Sequence, residues 1–258
     1  MYEELPDEEL FGPGDFSDSG ELEVDNIMNE AESHENDAQL TPDPLISSNS
    51  ELQKTVFPSI PGLFLYKNLL TQEQQNKLVD AIINEGYFER PESNQAMCFG
   101  TLPPFIMRVV DIIENISSIF PDEIKNRKPL FDQSIINVYK PGDGINSHVD
   151  LDRFEDGIVI ISLLSACAMK FIPAYLINKE LGYSDTSTAT NPNEVIPVIL
   201  RPGDVLAMSG PARYDWAHGI EATKIDIVGD ERIVRKVRVS ITLRKMKEIQ
   251  VLNQCADN

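Results

Sequence analysis

The stretch SIINVYKPGDGINSHVD, residues 134–150, sets the pattern that decides the fold. A short apolar run, a turn rich in Gly and Pro and a second extended run follow one another, and the same plan recurs downstream. The later runs and turns are GIVIISLL (157–164), VIPVIL (195–200), RPGD (201–204), VLAMSG (205–210) and RIVRKVRVSITLRKM (232–246). Short strands with such turns predict a sandwich or barrel, and the strand–helix alternation of a doubly wound sheet is missing.

Upstream of these strands the pattern is helical. The segment TQEQQNKLVDAIINEG (71–86) has Thr71 as N-cap, Gln74 three residues later and Gly86 at its end. A second helix is predicted over roughly Pro104–Ile119, with core residues at helical spacing: Met107, Val110, Ile113 and Ile116. We therefore expect an α+β protein that is mainly β, with flanking helices on the N-terminal side.

The formal net charge of −20 is concentrated at one end of the chain. Residues 1–53 contain sixteen Asp or Glu and no Lys or Arg, which leaves 26 acidic against 22 basic residues from Lys54 onward. We expect a disordered acidic tail over 1–53, which solubilises the chain or docks onto a protein partner. The sequence further predicts one domain over 54–250, which contains a polar insertion at 178–194. A C-terminal tail follows over 251–258. The domain has no positive excess for gripping a long polyanion, so contact with nucleic acid would be local.

The cysteines and the N-terminal residues bear on the compartment. Three widely spaced cysteines form no disulfide framework, which favours a reducing compartment. The first residues, MYEELPDEEL, lack the features of a secretory signal, and the longest nearly apolar run, 157–169, is too short to cross a bilayer. We expect a cytoplasmic or nuclear protein without membrane contact.

Two of the three histidines stand in informative surroundings. His148 and Asp150 form an H-x-D, and residues i and i+2 of a strand project to the same face, where they can bind one ion. His218 follows seventy residues later in DWAHGI. Two His and one carboxylate are the facial triad of non-haem iron(II) oxygenases, although zinc accepts the same ligands and each His alone is compatible with a structural role.

The segment RVSITLR (238–244) predicts a site for a small dicarboxylate. Alternation along a strand places Arg238, Ser240 and Arg244 on one face, and arginine forks bind carboxylates at each end. An edge strand with charges facing water is the alternative reading. Upstream, Asn137 and Tyr139 form another i, i+2 pair, whose amide and phenol can donate hydrogen bonds to carboxylates.

In chain order, the N-x-Y, H-x-D, distal His and R-x5-R features resemble the AlkB family of dioxygenases. NQAMCFGTLP (94–103), RPGDVLAMSG (201–210) and ARYDWAHGI (212–220) look like that family too, and the resemblance covers roughly residues 60–246. It implies a double-stranded β-helix (jelly-roll) core that uses Fe(II), 2-oxoglutarate and O2. It also implies two sets of binding residues, for iron His148, Asp150 and His218, and for 2-oxoglutarate Asn137, Tyr139, Arg238, Ser240 and Arg244.

The resemblance is greatest to the branch that acts on RNA, including the wobble uridine of tRNA. It implies oxidative demethylation or hydroxylation of a modified base, with RNA or tRNA favoured over DNA as the substrate and partner. A protein hydroxylase or demethylase of the same chemistry, acting on a histone or ribosomal protein, is the second reading. A non-catalytic interaction protein is the third.

Five residues are candidates for substrate contact, each with a structural alternative. Asp152 could accept a hydrogen bond from a base, or cap a turn. The loop from Asn94 to Phe99 could form a lid through Met97 and Phe99, which could equally be core residues. Tyr214 and Trp216 could stack on a base, or pack inside the domain.

Overall fold

The computed structural model of the protein describes residues 53–88, 93–177 and 195–248. The acidic tail, the polar insertion and the C-terminal tail lie outside these ranges, apart from Gln53, which begins the first strand. The limits of these segments therefore remain predictions.

Antiparallel strands dominate the described residues and form two sheets and a hairpin. The larger sheet contains β1 (Gln53–Val56), β2 (Leu63–Lys67), β3 (Gln95–Phe99), β4 (Gln133–Tyr139), β6 (Ile158–Leu163), β9 (Val205–Met208) and β13 (Arg238–Arg244). Its strand order is β1-β2-β9-β6-β13-β4-β3. The smaller sheet contains β5 (Ile145–His148), β7 (Cys167–Pro173), β8 (Ile196–Leu200) and β10 (Trp216–Ile220), in the order β5-β10-β7-β8. The hairpin consists of β11 (Ile225–Val228) and β12 (Glu231–Val234).

The predicted run 232–246 is divided between two strands. β12 ends at Val234, and β13 begins at Arg238. Between them the buried Arg235 makes two hydrogen bonds to the Asp226 carboxylate, at 2.7 and 2.6 Å. This buried ion pair holds the segment after β12 against β11, the strand that contains Asp226.

Strand β13 lies inside the larger sheet, between β6 and β4, and its two faces differ in character. Arg238 is opposite Tyr139 of β4, and Ser240 is opposite both Asn137 of β4 and Ser162 of β6. These side chains project toward the smaller sheet. The intervening apolar residues of β13 project toward the helices.

Each face of the larger sheet packs against its own hydrophobic core. One core lies between the two sheets and includes Leu65, Ile160, Met169 and Phe171. The other lies between the larger sheet and helices α1 (Gln72–Asn84), α2 (Pro104–Glu114) and α3 (Asp122–Lys125). Two facing antiparallel sheets with helices on one outer face confirm the predicted double-stranded β-helix with N-terminal flanking helices.

The first helix is confirmed and the second is shorter than predicted. Thr71 and Gln74 form the capping box, and Gly86 follows the end of α1 with a φ of 69°, which favours glycine. Helix α2 ends at Glu114, five residues before the predicted end, because the Asn115 side chain donates to the Asp111 carbonyl there.

The prediction that Met107 belongs to the core is wrong. This side chain is 38% exposed, because the buried stripe of α2 runs along the opposite side of the helix. No helix among the described residues is long and apolar enough to cross a membrane.

Candidate active site

The two histidines meet where β5 and β10 pair. His148 is the last residue of β5, and its Cα lies directly opposite that of His218 in β10. Their ring centroids are 4.7 Å apart. Residues seventy positions apart in the chain therefore come together through one antiparallel register.

A glycine next to His218 permits this close approach. A Cβ on Gly219 would lie 2.7 Å from the backbone nitrogen and 2.8 Å from the Cα of Ser147. Such distances are far inside van der Waals contact, so a side chain there would push β10 away from β5. Gly219 thus helps to set the spacing of the two imidazoles.

Asp150 lies two residues beyond the end of β5 and is 6% exposed. One carboxylate oxygen is 2.5 Å from Nη2 of Arg244. The other lies 3.6 Å from Nε2 of His218 and has no hydrogen-bond partner among the described residues. A buried carboxylate oxygen without a partner is costly, and a metal ion would satisfy it.

The three side chains form a suitable donor set for a divalent metal. One potential ligand atom from each of His148, Asp150 and His218 lies within 4.8 Å of the others. Nδ1 of His148 is 2.8 Å from the backbone carbonyl of Asn146. That hydrogen bond leaves Nε2 as the free ring nitrogen, the usual arrangement for a metal-binding histidine. Two imidazoles and one carboxylate match the ferrous facial triad.

Electrostatics put Asp150 and His218 in the protonation states that metal binding requires. Burial lowers the pKa of His218 to about 3, and the nearby His148 acts in the same direction. Burial opposes ionisation of Asp150, but Arg244 and the two histidines outweigh it and lower the pKa of that carboxyl to about 2. At neutral pH the carboxylate is ionised and His218 is neutral, so neither must lose a proton to bind metal.

Arg238 is buried between the sheets with unused hydrogen-bonding capacity. It is 3% exposed, and its Nε donates to Oγ of Ser162 at 3.0 Å. Nη1 and Nη2 have no partner among the described residues, and the guanidinium carbon lies 5.3 Å from the centroid of the Tyr139 ring. A buried cation with two free donors requires an anion, and a carboxylate fits this fork.

The neighbouring polar groups on β4 and β13 complete this side of the site. Burial raises the pKa of the Tyr139 phenol, whereas Arg238 and the neighbouring Ser240 act in the opposite direction. Oδ1 of Asn137 accepts a hydrogen bond of 2.9 Å from Nε2 of Gln95, so the amide nitrogen of Asn137 is left as a donor. Tyr139, Ser240, Asn137 and Arg238 therefore lie around one polar patch on the inner face of the larger sheet.

A cavity of about 70 Å³ lies beside two of the three candidate metal ligands, His148 and Asp150. Arg244, Asn137 and Gln95 also line it. Met97, Leu151 and Arg153 contribute further wall residues. The cavity thus gives access to two of the candidate metal ligands and to Asn137 of the polar patch.

Of the five predicted substrate residues, only Met97 lines this cavity. The segment predicted as a lid loop is an edge strand, β3, because residues 95–99 pair with β4. Met97 lines the cavity and is 37% exposed, whereas Phe99 is 55% exposed and lies outside the lining. Tyr214 is exposed on the surface, with the Arg213 guanidinium 4.8 Å from its ring centroid. Trp216 is partly buried and packs against the core between the sheets.

Asp152 is not brought to the cavity. Strand β5 ends at His148, so the strand alternation on which that prediction depended does not continue to residue 152. The Asp152 carboxylate is exposed and accepts a hydrogen bond of 2.6 Å from Lys247. Asp152 therefore lies in the turn, as in the alternative prediction for this residue.

Sequence reasoning missed Gln95 and Ser162, which contact Asn137 and Arg238 respectively. A serine inside the apolar run of β6 was the available signal for Ser162, because a polar residue in a buried strand needs a partner. No local pattern distinguishes Gln95, whose role depends on the pairing of β3 with β4.

Comparison with known proteins adds an independent observation. Residues 100–244 match the model of the 2OG-Fe(II) oxygenase superfamily. The chain belongs to that superfamily. Fe(II), 2-oxoglutarate and O2 are therefore the cofactor and co-substrates of this oxygenase, and the residues described above fit them.

This oxygenase is similar to several AlkB homologues. It is 31% identical over 209 residues to the alkylated DNA repair protein ALKBH8 homolog of Arabidopsis thaliana, covering 73% of this chain and 59% of the relative. It is 38% identical over 201 residues to tRNA (carboxymethyluridine(34)-5-O)-methyltransferase alkbh8 of Xenopus tropicalis, covering 69% of this chain and 28% of the relative. The solved structure of OsALKBH1 superposes with a TM-score of 0.49 at 16% identity, over 74% of this chain and 99% of that one. The chain thus spans little more than half of the first relative and under a third of the second.

Proposed function

We propose that His148, Asp150 and His218 bind the iron, and that Arg238, Tyr139, Asn137, Ser240 and Arg244 bind 2-oxoglutarate. One observation carries this assignment. Among the described residues, both Asp150 and Arg238, an anion and a cation, have buried side-chain atoms without hydrogen-bond partners. A metal ion satisfies the first and a carboxylate satisfies the second.

The protein side chains act by binding, orientation and charge. Arg238 pairs with one carboxylate of 2-oxoglutarate, while Ser162 holds the guanidinium in place. Arg244 holds Asp150 in its ionised form through the contact described above. Oxidation of a C–H bond, coupled to conversion of 2-oxoglutarate to succinate and CO2, is the chemistry that the bound iron supplies.

For the substrate we propose a modified base in nucleic acid, with RNA and in particular tRNA favoured over DNA. The relative from Xenopus tropicalis is named for tRNA, and the one from Arabidopsis thaliana is named for alkylated DNA repair. Both names describe longer proteins, so the methyltransferase activity in one name is not carried over. A substrate of this kind accords with a cytoplasmic or nuclear location.

The surroundings of the cavity support a base as the substrate. Met97, Phe99 and Leu151 are exposed apolar side chains on the adjoining strand and turn, and Arg153 lines the cavity. Aromatic rings such as that of Phe99 stack on bases, and apolar side chains such as Met97 and Leu151 pack against them. A local cation contacts phosphate without a large positive surface. This local arrangement accords with a domain whose overall charge is slightly negative.

Turnover of 2-oxoglutarate tests the assignment of the centre. Wild-type protein with Fe(II) and O2 should convert 2-oxoglutarate to succinate, and the variant His148→Ala should lose this conversion. His34→Ala is a matched control, because it removes the histidine that is absent from the proposed centre. Succinate formation by His148→Ala at the wild-type rate would contradict the assignment and favour a non-catalytic or differently built site.

The substrate class is tested by comparing the turnover of different macromolecules. Bulk tRNA, methylated RNA and DNA oligonucleotides, and histone or ribosomal-protein peptides are each incubated with the enzyme. We expect gain of an oxygen or loss of a methyl group in tRNA nucleosides, detected by mass spectrometry. Modification of peptides alone would overturn the nucleic-acid proposal in favour of protein hydroxylation.

Two matched methionines refine this test. Met97→Ser should raise KM for tRNA and leave 2-oxoglutarate turnover without substrate unchanged. Met107→Ser removes a methionine of nearly equal exposure, 38% against 37%, from helix α2 on the other side of the larger sheet. Equal effects of the two substitutions would contradict substrate contact at Met97.

A further inference from the structure

The segment that carries Asp150 is not held by strand pairing. Residues 149–153 belong to no strand, since β5 ends at His148 and Phe154 makes only an isolated bridge to Met246. A metal ligand on an irregular segment needs another support, because small displacements of a carboxylate weaken metal binding.

Arg213 supplies contacts to this segment. It lies in the short helix α4 (Pro211–Tyr214) and is 2% exposed. Its Nη1 donates to the backbone carbonyl of Asp150 at 2.9 Å, and its Nη2 donates to that of Leu151 at 2.8 Å. Nη2 also lies 3.4 Å from the carbonyl of Phe154. One guanidinium thus binds the backbone of the metal ligand and of the residues after it.

The same helix is fastened to the far end of the segment. The backbone nitrogen of Gly210, the residue before α4, lies 3.0 Å from each oxygen of the Asp156 carboxylate. Residues 150–156 are therefore tied to α4 near both ends. Strand β10 begins two residues after α4 and carries His218, so α4 connects two of the three metal ligands.

We propose that Arg213 is a positioning residue that fixes Asp150 relative to His218 and so sets the affinity and geometry of the metal centre. The inference rests on the proposed function, because it takes these two residues as iron ligands. Arg213 acts through the backbone of Asp150 and touches neither substrate nor metal. Its fork geometry is essential, because a lysine reaches fewer carbonyl oxygens than a guanidinium.

Metal titration of the full-length apoprotein tests this role without a need for turnover. Co(II) is the probe, and both its dissociation constant and the visible spectrum of the bound ion are measured. Arg213→Lys keeps the charge, and Arg213→Met keeps much of the volume but removes the charge. We expect Co(II) to bind roughly 10–100-fold more weakly to both variants, more so to Arg213→Met, with an altered spectrum.

Arg235→Lys is the matched control. Arg235 is also buried, and it also donates to two backbone carbonyls, those of Asp143 and Glu221. It lies between β12 and β13, and none of its hydrogen bonds reaches residues 149–156. This variant should lower the melting temperature and leave the Co(II) dissociation constant and spectrum unchanged. An equal loss of Co(II) affinity in Arg235→Lys would assign the effect of Arg213 to general stability and overturn the proposal.

The remaining outcomes separate this inference from the proposed centre. If wild-type protein binds no Co(II), the metal site itself is wrong. If wild-type protein and both Arg213 variants bind Co(II) equally, the metal site stands and the role of Arg213 is wrong. Failure of both variants to fold would also overturn the proposal, because Arg213 would then support the core as a whole.

Discussion

The two faces of the larger sheet contrast sharply in chemistry although they are built from the same strands. The face toward the helices contributes apolar residues such as Val239, Ile241 and Leu243 to a closely packed core. The face toward the smaller sheet contains polar and charged residues as well as apolar ones. Among the described residues of this sheet, buried polar atoms without partners lie on Gln133, Arg238 and Arg244 of the inner face, and on Ser134 alone of the outer face.

This difference separates stability from function within one sheet. The outer face gains its stability from burial of apolar area, as in any domain core. The inner face keeps charges buried at a cost, which is explained if ligands satisfy them when they bind. Substitutions on the two faces should therefore have different effects.

The largest expected effect is a loss of stability on the outer face. Ile241 is fully buried, and Ile241→Ala should lower the free energy of unfolding by about 2–5 kcal/mol, because a cavity remains. Denaturant unfolding measures the change. Thr242→Val, one residue further on the inner face, is nearly isosteric and should cost much less. A larger loss of unfolding free energy in Thr242→Val than in Ile241→Ala would contradict the proposed difference between the two faces.

Arg238→Met should damage ligand binding without damaging the fold. The affinity for 2-oxoglutarate should fall roughly 10–150-fold, because hydrogen bonds to charged groups contribute about 1.5–3 kcal/mol. Without ligand, the free energy of unfolding should stay equal or rise, since an unpaired buried charge is replaced by an apolar side chain. Calorimetric titration and denaturant unfolding measure the two quantities.

Arg235→Met provides the comparison for that variant. Arg235 is paired with Asp226, so its removal strips a buried carboxylate of its partner and should lower stability strongly. If both substitutions destabilised the unliganded protein to the same extent, Arg238 would belong to the structural framework rather than to the ligand site.

Gly219→Ala tests the close approach of β10 to β5 beside the two histidines. The added methyl group would clash with the backbone of Ser147, and overpacking of this kind costs about 1–3 kcal/mol. We expect weaker Co(II) binding, since β10 must shift away from β5 and carry His218 with it. Gly100→Ala adds the same group where nothing lies within 4 Å. Its φ of 78° means that this change also strains the backbone, but away from β5 and β10, so its Co(II) affinity should equal that of the wild type.

The smallest expected effect is that of Gln95→Ala. Loss of its hydrogen bond to Asn137 should raise KM for 2-oxoglutarate about 3–10-fold, which corresponds to about 1 kcal/mol. Gln75→Ala also removes a buried amide, one that donates to the Leu70 carbonyl, and should change stability rather than KM. Steady-state kinetics with 2-oxoglutarate as the varied substrate would show whether the two variants differ.

The sequence predicts those features that depend on local periodicity. Alternation along β13 placed Arg238, Ser240 and Arg244 on one face, and the Thr71 capping box marked the start of α1. Prediction by extrapolation was less successful. Asp152 was assigned to the cavity on the assumption that β5 extends beyond His148. The strand ends at His148, and no local sequence pattern marks that end.

Contacts between distant segments account for most of what the sequence did not reveal. Gln95 acts through the pairing of β3 with β4, and Arg213 acts on a segment about sixty residues upstream. Neither residue differs in its local surroundings from an ordinary polar residue. Their importance arises only when the sheets and α4 are assembled.

The hydrogen bond from His148 to the backbone of residue 146 does not depend on which amino acid occupies that position. Its acceptor is a main-chain carbonyl, which every amino acid possesses, while the Asn146 side chain is exposed. Mutation at codon 146 can therefore change the side chain and preserve the imidazole tautomer. The backbone geometry of β5 orients the His148 ring. Homologues with a different residue at position 146 can therefore keep the same hydrogen bond.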